Sequence, residues 1–320
     1  MARSFTNRAL VTGAAGFIGS HLCWRLVADG TEVVGLDDLS DGTLENLARV
    51  PEVAFVQADL RDQDAVRDAA KGCGVIYHQA AKRSVPRSML EPGMTTDVNV
   101  RGTMHVLAAA RDEGAVVVAA SSSSVYGDQD VFPLHESMTP RPVSPYAASK
   151  LAVEVYCAAM RHAYGVRSAA LRYFNVYGPG QDPASEYAAV VPRFVLACLS
   201  GTRPVIHGDG EQARDFTYID DVVESNLRAA RTPSACEGTA YNVGGGGAPT
   251  SVNRLLAIIA DLCGVDPDPI HEPTRAGDVR LTQADISLAE RAFGYRPQVA
   301  IEEGLARTVA SFRASDADGR

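Results

Sequence analysis

Apolar residues in the first half of the chain fall in short continuous runs separated by stretches with helical spacing. The runs are "ALVTG" (9–13), "EVVGLDD" (32–38), "VAFVQAD" (53–59), "GVIYHQAA" (74–81), "AVVVAASS" (115–122) and "SAALRYFN" (168–175). Strands that read as unbroken apolar segments are those of parallel sheets covered on both faces. Between the first two, Ile18, Leu22 and Leu26 recur on one helical face, with Gly30 as a stop. Strand–helix alternation of this kind predicts a Rossmann-type doubly wound parallel sheet. The second half differs: "YGPGQDPASEYAAVVPRF" and "VIHGDGEQARDFTYIDD" are loop-rich with short strands, and 251–265 reads as an amphipathic helix. The pattern divides the chain into residues 1–176, an alternating α/β unit, and 177–320, a smaller mixed α/β unit whose segments partly return to the first. After one last helix the polar tail, from about 305, is expected to fray.

Composition narrows the classes. The chain has 320 residues, 46% hydrophobic and 22% charged, with formal net charge −9. That balance argues against general nucleic-acid binding, and an anionic ligand would need local arginines or helix ends. No apolar run approaches membrane-span length, and "MARSFTNRAL" has no signal-peptide core. The six cysteines are scattered without a CxxC pair, so neither a metal site nor a disulfide framework is expected, and a cytoplasmic protein with reduced thiols is.

Two constellations carry chemistry. Gly13-x-x-Gly16-x-x-Gly19 sits between a predicted strand and a predicted helix that begins at Phe17 and Ile18. Glycines there permit a tight turn and close backbone approach to a pyrophosphate, which the helix N-terminus then faces. Asp37 ends the second strand, where an acid bonds the adenosine ribose, and Asp38 follows with no adjacent arginine. A 2'-phosphate would meet negative charge, so NAD is expected over NADP; on composition alone the two acids also suit a solvated turn. Asp59 ends the third strand, where it could border the adenine. The second constellation is "SPYAASK", with Tyr146 and Lys150 four apart on one helical face. A lysine charge lowers a tyrosine's pKa toward base duty, although an exposed helix pair has the same spacing.

These motifs, with "SSSSVYG" (121–127) and "RYFNVYGPGQDP", resemble the extended short-chain dehydrogenase/reductase family over nearly the whole chain. Within it the sequence is most similar to UDP-hexose 4-epimerases, particularly the branch that accepts N-acetylhexosamines, through "SVPRS" (84–88), "GDGEQARDF" (208–216) and "RAGDVRLTQADIS" (275–287). The resemblance implies NAD contacts from Leu60, Ala80, Ala81, Lys82, Asn99, Ser121 and Tyr173 besides those above. It implies a UDP-sugar substrate held by Ser84, Asn175, Gln181, Ala189, Val190, His207, Arg214, Arg275, Asp278 and Thr282, and a homodimer packed through helices near 94–112 and 146–163. Bland alternatives stand beside several of these. Ser84 suits a turn, His207 a structural role, Arg275 a surface ion pair, and the alanine-rich dimer faces suit core packing.

The resemblance also gives the serines a meaning. Related 4,6-dehydratases carry Thr-Asp-Glu where this chain has Ser122, Ser123 and Ser124, and UDP-glucuronate decarboxylases carry Glu at the last slot. A hydroxyl cannot replace a carboxylic acid as a proton shuttle. This counts against elimination or decarboxylation, although a dehydratase or decarboxylase on the same scaffold stays as an alternative. It leaves chemistry that needs one base and one hydride acceptor, enough for a 4-epimerase. Tyr146 would take the sugar O4 proton with Ser122 bridging, and C4 would be oxidised. The 4-keto sugar would turn about its pyrophosphate and be reduced on the other face. Ser123 would contact the sugar; Ser121 and Ser124 also suit capping of the strand end. Thr282 falls at a gate beside the sugar, where a small residue admits a 2-acetamido group. Asp182 stands where UDP-glucuronate epimerases tend to carry an arginine, but Arg83 stands where N-acetylhexosamine epimerases usually carry glycine, which keeps a uronate as an alternative.

Overall fold

A computed structural model describes residues 7–182, 189–274 and 279–317. Six strands follow the apolar runs: β1 (Arg8–Thr12), β2 (Glu32–Asp37), β3 (Ala54–Gln57), β4 (Val75–His78), β5 (Val116–Ser122) and β6 (Ser168–Tyr173). They form one parallel sheet in the order β6-β5-β4-β1-β2-β3, and a seventh strand, Glu237–Val243, pairs in parallel with β6. That strand comes from the second half of the chain and is only half buried along its first residues, so its apolar pattern is weak.

Alternation along each strand supplies two cores. Ala9 and Val11 of β1 join a cluster with Leu22 and Leu26 of helix α1 (Phe17–Ala28), while Leu10 joins one on the opposite face. The opposite face is covered by α2 (Gln63–Ala70), α5 (Gly102–Glu113) and α6 (Pro145–Tyr164), with the short helices α3 (Val85–Leu90) and α4 (Pro92–Thr96) leading into α5. The smaller unit has its own core among α7 (Val190–Ser200), α8 (Val252–Cys263) and the last helix, Ile301–Ala317. The tail therefore does not fray from about 305: Leu305 and Val309 are buried and the helix continues to Ala317. Among the described residues no helix is long and apolar enough to cross a membrane.

The strand order reverses direction about β1, between β4 and β2. Open α/β sheets bind ligands outside the carboxyl ends of strands at such a switch point.

Candidate active site

A cavity of about 420 Å³ opens at that switch point. Gly13 begins its floor with φ +70°, and a Cβ there would lie 2.7 Å from the Ala80 nitrogen. A Cβ on Gly19 would lie 1.9 Å from the Gly13 carbonyl oxygen, so only glycine lets α1 start this close to β1. Gly16 caps α1 without a side-chain bond, and no acid stands in the first turn. The first amides of α1 are thus open to an anion, and Phe17 and Ile18 line the cavity with them.

At the end of β2 Asp37 is buried, whereas Asp38 is exposed, as a solvated turn would have it. Asp37 is 8% exposed. Its Oδ2 accepts from the Ala15 amide at 3.0 Å and its Oδ1 from the Leu39 amide at 2.8 Å. Burial raises its pKa, and the two amide bonds oppose the rise. Asp38 accepts from the Ser40 amide at 2.9 Å. Asp59 is gripped by Arg61 at 2.6 Å, and that bond is the main reason its pKa is lowered. Asp37, Asp38, Asp59 and Leu60 all line the cavity.

The loop after β4 forms the next wall, through Ala80, Ala81 and Lys82. Asn99, in a π-helical turn at Asp97–Arg101, accepts from the Lys82 amide at 2.7 Å and donates to the Lys82 carbonyl at 3.1 Å. It holds the wall from behind and does not itself line the cavity. The Lys82 ammonium reaches Ser40 at 2.6 Å and Asp41 at 3.3 Å, joining two loops across the cavity. Ser40, Asp41, Gly42 and Gln79 also line it. Nothing in their local sequence marks them, since they arrive through loop packing: a Cβ on Gly42 would meet the Ala15 carbonyl carbon at 2.7 Å.

Serines and tyrosine meet at the far end. Ser122 accepts from the Ser124 amide at 3.1 Å and donates to the Ser124 hydroxyl at 3.0 Å, so it caps the single turn Ser123–Tyr126. Ser144 caps α6 by accepting from the Ala147 amide at 3.1 Å, which brings Tyr146 to the cavity within the first turn. Tyr146 and Ser122 line the same end of the cavity. Burial raises the Tyr146 pKa, whereas the neighbouring Ser122 hydroxyl and the Arg83 charge lower it. Lys150 is 4% exposed, donates to the Ala120 carbonyl at 2.9 Å and stands 6.0 Å from the Tyr146 ring centre. Burial lowers its pKa to about 8. Tyr173 closes the side wall and donates to Gln79 at 3.1 Å.

The expected substrate residues divide. Ser122, Ser123, Asn175, Gln181 and Ala189 line the cavity together with Arg83 and Asp182. Gln181 is 8% exposed; its amide nitrogen donates to the Val176 carbonyl, and its Oε1 has no partner among the described residues. Val190 begins α7 beside Ala189. Ser84 lies outside the cavity wall, and its hydroxyl oxygen accepts from the Arg87 amide at 3.1 Å to cap α3. His207 is 3.5 Å from Glu272 in a two-stranded sheet away from the cavity wall. Arg214 donates to the Ala213 carbonyl at 2.9 Å. Thr282 also lies off the wall, its hydroxyl accepting from the Asp215 amide at 3.3 Å. Arg275 and Asp278 lie outside the described residues.

A glycine turn with no room for Cβ atoms, uncapped α1 amides and an acid at the end of β2 fit a dinucleotide with a free ribose 2'-hydroxyl. The chain belongs to the NAD dependent epimerase/dehydratase family, whose model matches residues 9–244. It is an enzyme of that family, and NAD is its cofactor. Particular relatives are similar along the whole chain. A UDP-glucose 4-epimerase of Mycolicibacterium smegmatis is 44% identical, over 96% of this chain and 98% of that protein. The crystal structure of a Thermotoga maritima UDP-glucose 4-epimerase with UDP-glucose matches with TM-score 0.91 and 36% identity, covering 96% of this chain and 99% of that one. A UDP-N-acetylglucosamine 4-epimerase from Methanobrevibacter ruminantium M1, in complex with UDP-N-acetylmuramic acid, matches with TM-score 0.91 and 38% identity, covering 96% and 98%.

Proposed function

We propose that this chain inverts C4 of a UDP-hexose through a transient 4-keto sugar, acting on UDP-GlcNAc/UDP-GalNAc, UDP-Glc/UDP-Gal or both. The observation that carries the reading is Tyr146 and Ser122 together on the cavity wall beside Lys150, with serine at all three positions where dehydratases hold a proton-shuttling triad. Bound NAD supplies reversible oxidation at C4. Tyr146 removes the O4 proton, aided by Ser122 and by the nearby Lys150 charge. Ser123, on the turn that Ser122 caps, faces the sugar. Asn175, Gln181 and Ala189, which line the cavity, hold the uridine diphosphate while the sugar turns, and the family resemblance adds Val190, Arg214, Arg275, Asp278 and, from outside the cavity wall, His207. Thr282 leaves room for a 2-acetamido group.

A uronate is the second reading. Arg83 favours it, as a cation at the sugar end of the cavity, and Asp182 on the same wall opposes it by charge repulsion. The protein is further proposed to act in the cytoplasm as a homodimer packed through α5 and α6. Val155 and Tyr156 of α6 are 58% and 36% exposed and would be covered there.

The test is incubation of the purified enzyme with UDP-GlcNAc, UDP-Glc and UDP-GlcA separately, without added NADH, followed by proton NMR. An equilibrium mixture of C4 epimers is expected, and the fastest substrate decides between Thr282 and Arg83 as the guide to specificity. A keto, alkene or decarboxylated product, or no product, would overturn the reading of the serines.

A further inference from the structure

Tyr146, Lys150 and Glu154 follow one another at four-residue intervals along one stripe of α6. The third is a carboxylate, 7% exposed, that the reaction does not use. Its Oε1 accepts from the Ser121 hydroxyl and from the Arg172 Nε at 2.9 Å, and its Oε2 accepts from the Arg172 Nη2 at 2.7 Å. Ser121 and Arg172 are register partners on β5 and β6, and Asn242 of the next strand continues the row. The Arg172 guanidinium lies 4.8 Å from the Tyr126 ring centre, and the Tyr126 hydroxyl donates to Asn242 at 2.7 Å. Tyr126 ends the turn that Ser122 begins. One buried carboxylate on the tyrosine's own helix is thus bonded to the residue before Ser122, and through Arg172 it reaches the residue that closes the Ser122 turn.

We propose that Glu154, clamped by Arg172 and Ser121, is a positioning residue that sets where Tyr146 stands relative to Ser122. Its action is geometric. Its charge is matched by a bidentate arginine, and burial alone accounts for the lowered pKa of Lys150 one turn away. α6 is held at the sheet by a fork of fixed reach, and a helix free to slide or rotate by about 1 Å loses catalytic alignment worth up to about a hundredfold in rate.

The proposal rests on the epimerase reading of Tyr146. The experiment uses the NAD-loaded enzyme and the UDP-hexose on which the wild type is active. Removing Glu154 alone leaves Arg172 buried without its partner, so the variant is Glu154→Met with Arg172→Met, which removes both charges at similar volume. The expected result is a folded protein with unchanged NAD content, UDP affinity and KM within about twofold of wild type, and kcat lowered at least about tenfold. The acidic limb of its pH–rate profile should lie at higher pH, because Tyr146 no longer stands against the Ser122 hydroxyl that lowers its pKa. Wild-type kcat and profile in the folded double variant would overturn the proposal. If that variant does not fold, Glu154→Asp keeps the charge pair one methylene shorter, and full kcat there overturns the proposal equally. Tyr146→Phe is run in parallel: turnover retained in that variant brings down the epimerase reading itself, and the positioning role with it.

Discussion

Tyr146 is a poor base by burial alone, because losing water disfavours its phenolate. The site opposes that penalty with Ser122 and Arg83, and Lys150 nearby has its own pKa lowered by burial to about 8. Replacing Tyr146 by Phe should lower kcat by about 10²–10⁴-fold while leaving bound NAD in stoichiometric amount. Activity assays beside the absorbance of the denatured protein's released cofactor check both halves. The residues behind this prediction were legible in the sequence for a local reason. Gly13, Gly16 and Gly19 meet one turn, and Tyr146 and Lys150 share one helical face. The Ser122 slot was found by counting back from Tyr126. Glu154 and Arg172 were not legible: 18 residues separate them, and no periodicity links a helix residue to the one strand residue beneath it.

At the scale of elements, α6 shows how caps place chemistry. Ser144 accepts from the Ala147 amide, and Ser88 of α3 accepts from the Tyr146 amide at 3.2 Å. Two serines from separate segments thus satisfy adjacent amides at the start of the helix. Ser144→Ala should cost about 1 kcal/mol of stability, a fall in melting temperature of about 2 °C for a chain of this size. Calorimetry on the NAD-loaded protein measures it, and an unchanged melting temperature would show that Ser88 suffices. Ser144 and Pro145 before an apolar stripe announce this helix in the sequence. The π-helical turn at Asp97–Arg101 has no such announcement. It exists because Asn99 must face the Lys82 backbone and also donate to Ser149 at 2.9 Å. The strand Glu237–Val243 was hidden for a related reason, since "EGTAYNV" lacks an apolar run and β6 supplies its pairing.

For the whole molecule, buried histidines govern the response to acid. His78 is hydrogen-bonded to Thr12 at 2.7 Å and to Thr103 at 2.9 Å, joining β4 to β1 and α5. Burial lowers its pKa to about 3, and burial lowers that of His21 to about 4. The unfolded chain binds these protons near pH 6.5 and the folded one does not, so stability falls as pH drops through that window. Between pH 7 and pH 5 the two histidines together remove about 4 kcal/mol. Asp215 acts in the opposite sense. Its carboxyl, raised to about 6 by burial, takes up a proton in the fold first and returns about 1 kcal/mol. From these three groups a net loss of about 2–3 kcal/mol is expected, reduced by the other carboxyls that burial raises, Asp37, Glu136, Asp220 and Asp221. Urea unfolding at the two pH values measures it, and stability no lower at pH 5 would contradict it. Asp215 is also a tertiary hub, accepting from the Gly245 amide at 2.7 Å and the Ala284 amide at 2.9 Å. The sequence alone determined six of the strands, the cofactor turn and the tyrosine–lysine pair, because each depends on residues within a few positions of one another. The walls of the cavity, the seventh strand, the Glu154–Arg172 clamp and the Asp215 hub were decided only by tertiary structure. Their partners lie far apart along the chain and acquire meaning only when burial removes water from both.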